Sequence, residues 1–355
     1  MKFGIFDHLD RSDDRSIAQQ YDERFAYVSE ADDAGFYCYH VAEHHATPVN
    51  TVPVPSMYLA ALARVTKRIR LGPMVFLLPL HSPLRVIEEI CILDQLSHGR
   101  LEVGIGRGTS PFEFNFHKID FANSRAIFNE AFDCIVEGLT HEQLTHSGPH
   151  FEFSGVPMAL QPFQRPHPPF WYGGSTAASA AWAGERGLHF TTTSTRDTAR
   201  DGVAAYTAAI MARGGPTVPN PDFDGGAVKG VMREIYVAET DEEARRIAKP
   251  AHDHLYANQT YLRRWNLSRG GAAATPTHRA GDFDDALAEG SIIAGTPDTV
   301  RAQIARQAEN IGFNYFIGYF MFGTMSLADA QHSLRLFVRE VMPHFEETSL
   351  VRSRA

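Results

Sequence analysis

Cysteine is scarce in this chain: only Cys38, Cys91 and Cys134 occur, widely spaced and without a C-x-x-C pair. An odd, scattered set makes no disulfide framework, which points to a reducing cytoplasm. Blocks of Lys or Arg are missing too, and 33 basic against 42 acidic residues leave a net charge of −9. That balance speaks against nucleic acid or an anionic membrane surface as partner. No uncharged apolar run reaches the ~18 residues of a membrane span. Met1-Lys2-Phe3-Gly4 enters an apolar run with neither a basic n-region nor a cleavage site, so no signal peptide is expected. What remains is a chain of 355 residues, 44% hydrophobic and 21% charged, able to bury a large core.

Short apolar runs recur along it, each followed by a helical pattern. Phe3 to Phe6 precedes a helix from Ile17 to Ala34, Tyr37 to Val41 one over Val54 to Val65, and Ile69 to Leu78 one over Leu84 to Leu96. Leu101 to Ile105 leads to Ser124 to Leu139, Phe170 to Tyr172 to Thr176 to Gly184, and Leu188 to Thr191 to Ala199 to Arg213. Met232 to Ala238 precedes a helix starting at Asp241, and Asn314 to Phe320 precedes Leu327 to Val341. Strict alternation implies parallel strands with helices outside. About eight such units favour one closed (β/α)8 barrel over residues 1–345, with 346–355 as a tail, because closure removes both sheet edges. Two stretches interrupt the pattern. His141 to Pro169 is long, with a possible hairpin around Phe151 to Ala159, and Trp265 to Gly290 reads as a flexible lid on the catalytic face. Thr296-Pro297 then opens another helix.

Glu43-His44-His45 stands where the second strand emerges into a loop. Groups this costly to desolvate mark sites when they cluster. Adjacent strand residues point to opposite sides, so His44 and His45 are poorly placed to share a metal, and no further ligand set is evident. His141-Glu142-Gln143-Leu144-Thr145-His146 is one residue too long for the zinc motif HExxH. No metal is expected. His44 then reads either as an acid–base or substrate-contacting group or as a hydrogen-bonded structural histidine.

Gly104-Ile105-Gly106-Arg107-Gly108 is not the G-x-G-x-x-G fingerprint, and it runs into Ser110-Pro111-Phe112 rather than a helix. Its spacing suits a strand end that something flat approaches, with Arg107 as an anion contact. Gly173-Gly174-Ser175-Thr176 opens an Ala-rich helix, where free N–H groups, hydroxyls and the positive helix end suit a phosphate. An ordinary Ser/Thr cap after a glycine turn is the alternative there.

Met1-Lys2-Phe3-Gly4, Glu43-His44-His45, Leu78-Pro79 with His81-Ser82-Pro83-Leu84-Arg85, Leu93-Asp94-Gln95-Leu96-Ser97-His98-Gly99-Arg100, and Gly104 to Gly108 occur in an order that resembles the bacterial luciferase-like flavin monooxygenases. The likeness is strongest over about the first 110 residues and continues through Gly187. It implies a (β/α)8 barrel that binds reduced FMN (FMNH2) and uses O2 to oxygenate a small organic substrate. His44 matches a catalytic position, and Arg107, Gly174, Ser175, Thr176 and Ser179 fall at the flavin phosphate. A cis peptide under the flavin ring falls at Met74-Val75. Light-emitting members carry a reactive cysteine where Gly106 stands and a carboxylate where Ser175 stands, so bioluminescence is not expected. Gly106 should leave space above the flavin.

No second dinucleotide site is evident, which implies a separate flavin reductase as partner. The resemblance also implies a homodimer built on Val54 to Val65 and Leu84 to Leu96, with Leu59, Leu62, Ile90 and Leu93 as seam candidates. Two alternatives share the fold: an F420-dependent hydride-transfer enzyme, whose polyanionic cofactor wants a basic channel, and a flavin-binding protein without catalysis. Phe6, Phe76 and Phe112 are candidate walls of an apolar cavity.

Overall fold

Apolar runs that alternate with amphipathic helices bury both faces when the strands pair in parallel and the helices cover the outside. A computed structural model shows this arrangement and describes residues 1–271 and 281–345. The strands are β1 (Lys2–Asp7), β2 (Cys38–Val41), β3 (Arg70–Pro73), β4 (Phe76–Leu77), β5 (Val103–Gly106), β6 (Gln143–Ser147), β7 (Glu152–Pro157), β8 (Phe170–Gly173), β9 (His189–Thr192), β10 (Lys229–Val237), β11 (Ile292–Gly295) and β12 (Tyr315–Tyr319). Parallel pairing runs β3-β2-β1-β12-β10-β9-β8-β5-β4, with Ile5 opposite Tyr39 and His40 opposite Gly72. The chain itself joins β3 to β4 across Met74–Val75, which completes the ring. The barrel therefore has the eight strand units that the alternation predicts, with the Met74–Val75 peptide in the cis form that the resemblance implies.

The helices are α1 (Ile17–Asp33), α2 (Pro55–Val65), α3 (Pro83–Ser97), α4 (Pro111–Phe116), α5 (Ser124–Thr140), α6 (Ala177–Glu185), α7 (Arg196–Arg213), α8 (Asp241–Gln259), α9 (Tyr261–Ser268), α10 (Phe283–Glu289), α11 (Pro297–Ile311) and α12 (Leu327–Leu336). Their starts follow the chemistry of the sequence: Ser16, Thr176, Thr240 and Thr296 each cap a helix through the side-chain oxygen. Buried apolar residues of strands and helices form one cluster from Phe3 to Phe345.

The N-terminal end of the barrel is closed by a polar plug. Buried Glu102 accepts hydrogen bonds from the Tyr37 hydroxyl at 2.7 Å and Trp171 Nε1 at 2.6 Å and pairs with Arg70. Burial opposes its charge, but Arg70, His189 and these donors outweigh it and hold the pKa below the usual carboxylate range. Satisfied charges at this end serve stability, while barrel enzymes place chemistry at the other.

Several expectations need correction. The hairpin pairs β6 with β7, so it starts well before Phe151. β11 is an additional strand, paired with the second half of β10. Ser110-Pro111 does open a helix: α4 is only six residues long, capped by Ser110. The stretch from Trp265 to Gly290 is partly helical, since α9 ends at Ser268 and α10 carries fully buried Phe283. The rest of the expected lid, residues 272–280, and the expected tail, 346–355, lie outside the described residues. Leu59, Leu62, Ile90 and Leu93 are buried within the chain, because α2 and α3 turn their most apolar stripes to the barrel. Met57, Val65 and Ile92 are the large apolar residues exposed on those helices.

Candidate functional site

The C-terminal ends of β5 and β8 close on one side chain, Val75, in the link between β3 and β4. A Cβ placed on Gly106 would stand 2.4 Å from Val75 Cγ2, and one on Gly173 would stand 3.4 Å from Val75 Cγ1. Gly106 is thus required by close approach. The space that its missing side chain frees is filled by Val75 rather than left open, which corrects that expectation. Gly174 is equally tight, since a Cβ there would meet Ser179 Oγ at 2.7 Å. Met74 is buried and its N–H donates to the Val41 carbonyl at 2.7 Å, tying the cis peptide to the end of β2.

Just beyond β5, Arg107 is partly buried, with its guanidinium 5.0 Å from the Phe121 ring and Nη1 at 3.5 Å from Ser124 Oγ. Beside it is Arg125, in the first turn of α5, which donates to the Tyr172 hydroxyl at 3.3 Å. Desolvation and then the Arg125 charge push the Arg107 pKa below its ordinary value. Among the described residues, neither guanidinium has a carboxylate partner. Two cations sharing one field without a counter-ion make a place for an anion. Tyr172 links this pair to the next segment, because it ends in Gly173-Gly174 and the start of α6.

That start is an open helix N-terminus. Ser175 and Thr176 are exposed. Thr176 Oγ1 accepts from the Ser179 N–H and Ser179 Oγ accepts from the Thr176 N–H, each at 3.1 Å, so both hydroxyls serve a capping box. The ordinary-cap reading is therefore right for these side chains. It satisfies the Ser179 N–H and leaves those of Ala177 and Ala178 without intrahelical partners, at the helix end where an anion is favoured.

On the other side of the site, His44 is one-third exposed, with Nδ1 at 3.2 Å from Glu113 Oε1. Glu113 is buried on α4, and its Oε2 accepts from the His45 N–H at 3.1 Å. Burial opposes the charge on His44, but the Glu113 hydrogen bond and the charges of Glu113 and Glu43 outweigh it and raise the imidazole pKa. The ring of His8 lies 5.5 Å from that of His44, and Phe6 packs edge-on to His8 and to Tyr319. Phe6 and Phe76 are buried core, and Phe112 is partly exposed.

Glu43 itself faces away from His44. Its Oε1 accepts from His45 Nε2 at 2.8 Å and His81 Nε2 at 2.6 Å, and its Oε2 accepts from the Leu77 N–H at 3.0 Å. His141 and His146 do not come together on one helix: His141 ends α5 and His146 lies in β6 against Glu130.

The structure therefore groups Met74, Val75, Gly106, Gly174 and the capping box at one strand-end face, with His44 on the same face. Sequence reasoning missed Arg125 and Glu113. Arg125 carried a signal, since a cation in the first turn of a helix opposes the macrodipole and calls for a reason. Glu113 carried another, because Ser110-Pro111-Phe112-Glu113 has the spacing of a helix start. A cleft of about 430 Å3 lies elsewhere, lined by Phe132, Val136, His141, Arg186 and Leu188 at the N-terminal ends of β8 and β9.

Comparison with known proteins places the chain among relatives. A family model described as luciferase-like monooxygenase matches residues 1–315. The chain is 33% identical over 333 residues to limonene 1,2-monooxygenase of Rhodococcus erythropolis, covering 90% of this chain and 80% of that protein. It is 26% identical over 373 residues to the oxygenase component of flavin-dependent trigonelline monooxygenase of Acinetobacter baylyi, covering 100% and 98%. The oxygenating constituent of 3,6-diketocamphane monooxygenase of Pseudomonas putida, solved in complex with FMN, superposes with a TM-score of 0.78 at 23% identity, covering 97% and 98%.

Proposed function

The chain belongs to the luciferase-like monooxygenase family, and from that premise we propose that it is the oxygenase of a two-component system, binding reduced FMN and oxygenating a small organic substrate with O2. The observation that carries this reading is the Arg107–Arg125 pair, two guanidiniums with no acidic partner among the described residues, beside the open N-terminus of α6. A dianionic phosphate neutralises both cations and accepts the free N–H groups, which is what FMN offers and riboflavin lacks. Reduced flavin, when bound, supplies the electrons and the activation of O2.

The protein's part is binding, orientation and proton handling. Val75, at the centre of the strand-end face, would back the flavin ring, with Gly106 and Gly173 giving it room. Glu113 holds His44 by Nδ1, which leaves Nε2 free to give or take a proton at the substrate. The raised pKa keeps that imidazole protonated to higher pH than a free histidine, which suits it to donate a proton. The A. baylyi relative is named as an oxygenase component, which supports a separate reductase as the source of reduced flavin here. A homodimer across α2 and α3 belongs to the same reading, and its seam would be exposed Met57, Val65 and Ile92.

Loading the purified protein with FMN and with F420, followed by native mass spectrometry, tests the assignment. Retention of FMN alone is expected. Retention of F420 in its place would move the chain to hydride transfer without O2.

A further inference from the structure

Four imidazole and carboxylate side chains gather where the loop after β2 meets the segment after β4. Glu43, His45 and His81 each offer one ligand atom, and these atoms lie within 4.8 Å of one another. Both imidazoles already aim Nε2 at a single oxygen, Glu43 Oε1. The other Glu43 oxygen is fixed by the Leu77 N–H, and the His45 backbone is fixed by Glu113, so carboxylate and loop are held from behind. The ring of His117 stands 4.7 Å from that of His45. A cleft of about 310 Å3 lined by Pro79, His81, Ile119 and His150 opens beside His81. The carboxylate is buried, while the His45 and His81 side chains keep 17% and 28% of their exposure, so the donors can be reached from solvent.

We propose that Glu43, His45 and His81 bind one divalent transition-metal ion of the zinc class, with a coordination position left open toward the cleft. Two imidazoles and one carboxylate, converging from an anchored carboxylate, are a donor set that suits Zn2+, Co2+ or Fe2+ and is poor for Mg2+ or Ca2+. This departs from the expectation of no metal, although the proposed donor set does not pair His44 with His45. The chain instead turns residues 43 and 45 to one side and His44 to the other, and it recruits His81 from a distant segment. In the metal-free protein a proton sits between each Nε2 and the carboxylate. An ion replaces those protons, each imidazole passing its Nε2 proton to Nδ1 or to water. The ligand atoms then spread from hydrogen-bond distance to ~3.3 Å, as bonds of ~2.0–2.1 Å require. The ion links the loop after β2 to the segment after β4, so occupancy raises thermal stability without any flavin.

The test uses the full chain stripped with a chelator, titrated with Zn2+ by calorimetry and with Co2+ by visible absorption. One equivalent is expected, with intense Co2+ bands of a four-coordinate site and a higher melting temperature. His81→Ala and the subtler His81→Asn should each weaken binding by about 100-fold, and circular dichroism reports whether they fold. His146→Ala, on the separate Glu130 pair, should change nothing. Unsaturable Co2+ uptake with the weak bands of the hydrated ion by the wild-type chain overturns the proposal, and that result needs no variant to fold. Stoichiometric binding that survives His81→Asn overturns it too, and leaves Glu43 as a carboxylate that only orients two imidazoles.

Discussion

Arg107 and Arg125 share one field with no carboxylate among the described residues to separate them: after desolvation, the Arg125 charge is what depresses the Arg107 pKa. Arg125 also sits in the first turn of α5, where the helix end repels it. The fold tolerates this mutual repulsion at the mouth of the site, and a bound dianion relieves it. Replacing Arg125 with Ala should therefore weaken FMN by tenfold or more, on the strength of one charge-assisted contact. The apo protein should lose little stability, since the lost hydrogen bond to Tyr172 is offset by the removal of a repulsive charge. Equilibrium titration and thermal melting of the same sample read both effects.

His44 is held by Glu113 through Nδ1, on a different strand end from Arg107 and the start of α6. His44→Ala should bind flavin normally and lose roughly 10²-fold in turnover. Full product yield from the variant, supplied with pre-reduced FMN, would remove the proton-donor role.

The same pair sets a pH dependence whose sign follows from the raised His44 pKa. A raised folded-state value means that the pair stabilises the fold fully below the unfolded imidazole pKa, and that this contribution disappears as pH rises through the folded value. Glu113→Gln removes the charge and should bring the His44 midpoint down, measurable by NMR titration of the imidazole. Glu43 behaves oppositely. Burial raises its pKa, but the hydrogen bonds from His45 and His81 outweigh this and lower it to about 2, so its contribution is present above the ordinary carboxylate range and is lost on acidification toward that value.

Val75 fills the space that a side chain at position 106 would need. Gly106→Ala should cost about 1–3 kcal/mol by overpacking. Val75→Ala in the same chain should recover most of it, which a double-mutant cycle of melting curves would show. Additive losses would mean that the two residues do not compete for one space.

The eight barrel strands were legible because each is a short apolar run between helical patterns, and a parallel strand buried on both faces has to be one. β11 was not: Ile292 to Gly295 is no shorter than β2 or β8, but it lies between the stretch that reads as a lid and the Thr296-Pro297 helix start, outside the run of strand–helix pairs. The site was half legible. His44, Arg107 and the α6 start sit at strand ends, where chemistry-bearing residues look out of place. Arg125, Glu113 and His81 sit on helices or after a turn, where charged residues are ordinary; what faint signals they carry do not say which groups they meet, and three-dimensional proximity does. The apolar stripes of α2 and α3 misled for a related reason: periodicity finds the most apolar face, and the barrel claims it first.

Dimer formation should then depend on the leftover apolar positions. Met57→Asp with Ile92→Asp should yield a monomer in sedimentation at micromolar concentration, whereas the parent chain is expected to sediment as a dimer. A parent that is already monomeric would remove the dimer from the account.

The most direct measurement of the central claim is the affinity of the full chain for reduced FMN against reduced riboflavin, titrated anaerobically side by side. The two share the isoalloxazine ring and differ by the phosphate alone. On the proposed assignment of Arg107, Arg125 and the α6 N–H groups to that phosphate, FMN should bind at least ~100-fold more tightly, about two charge-assisted contacts at tenfold each. Equal affinities, or binding of neither, would contradict the flavin site described for these residues.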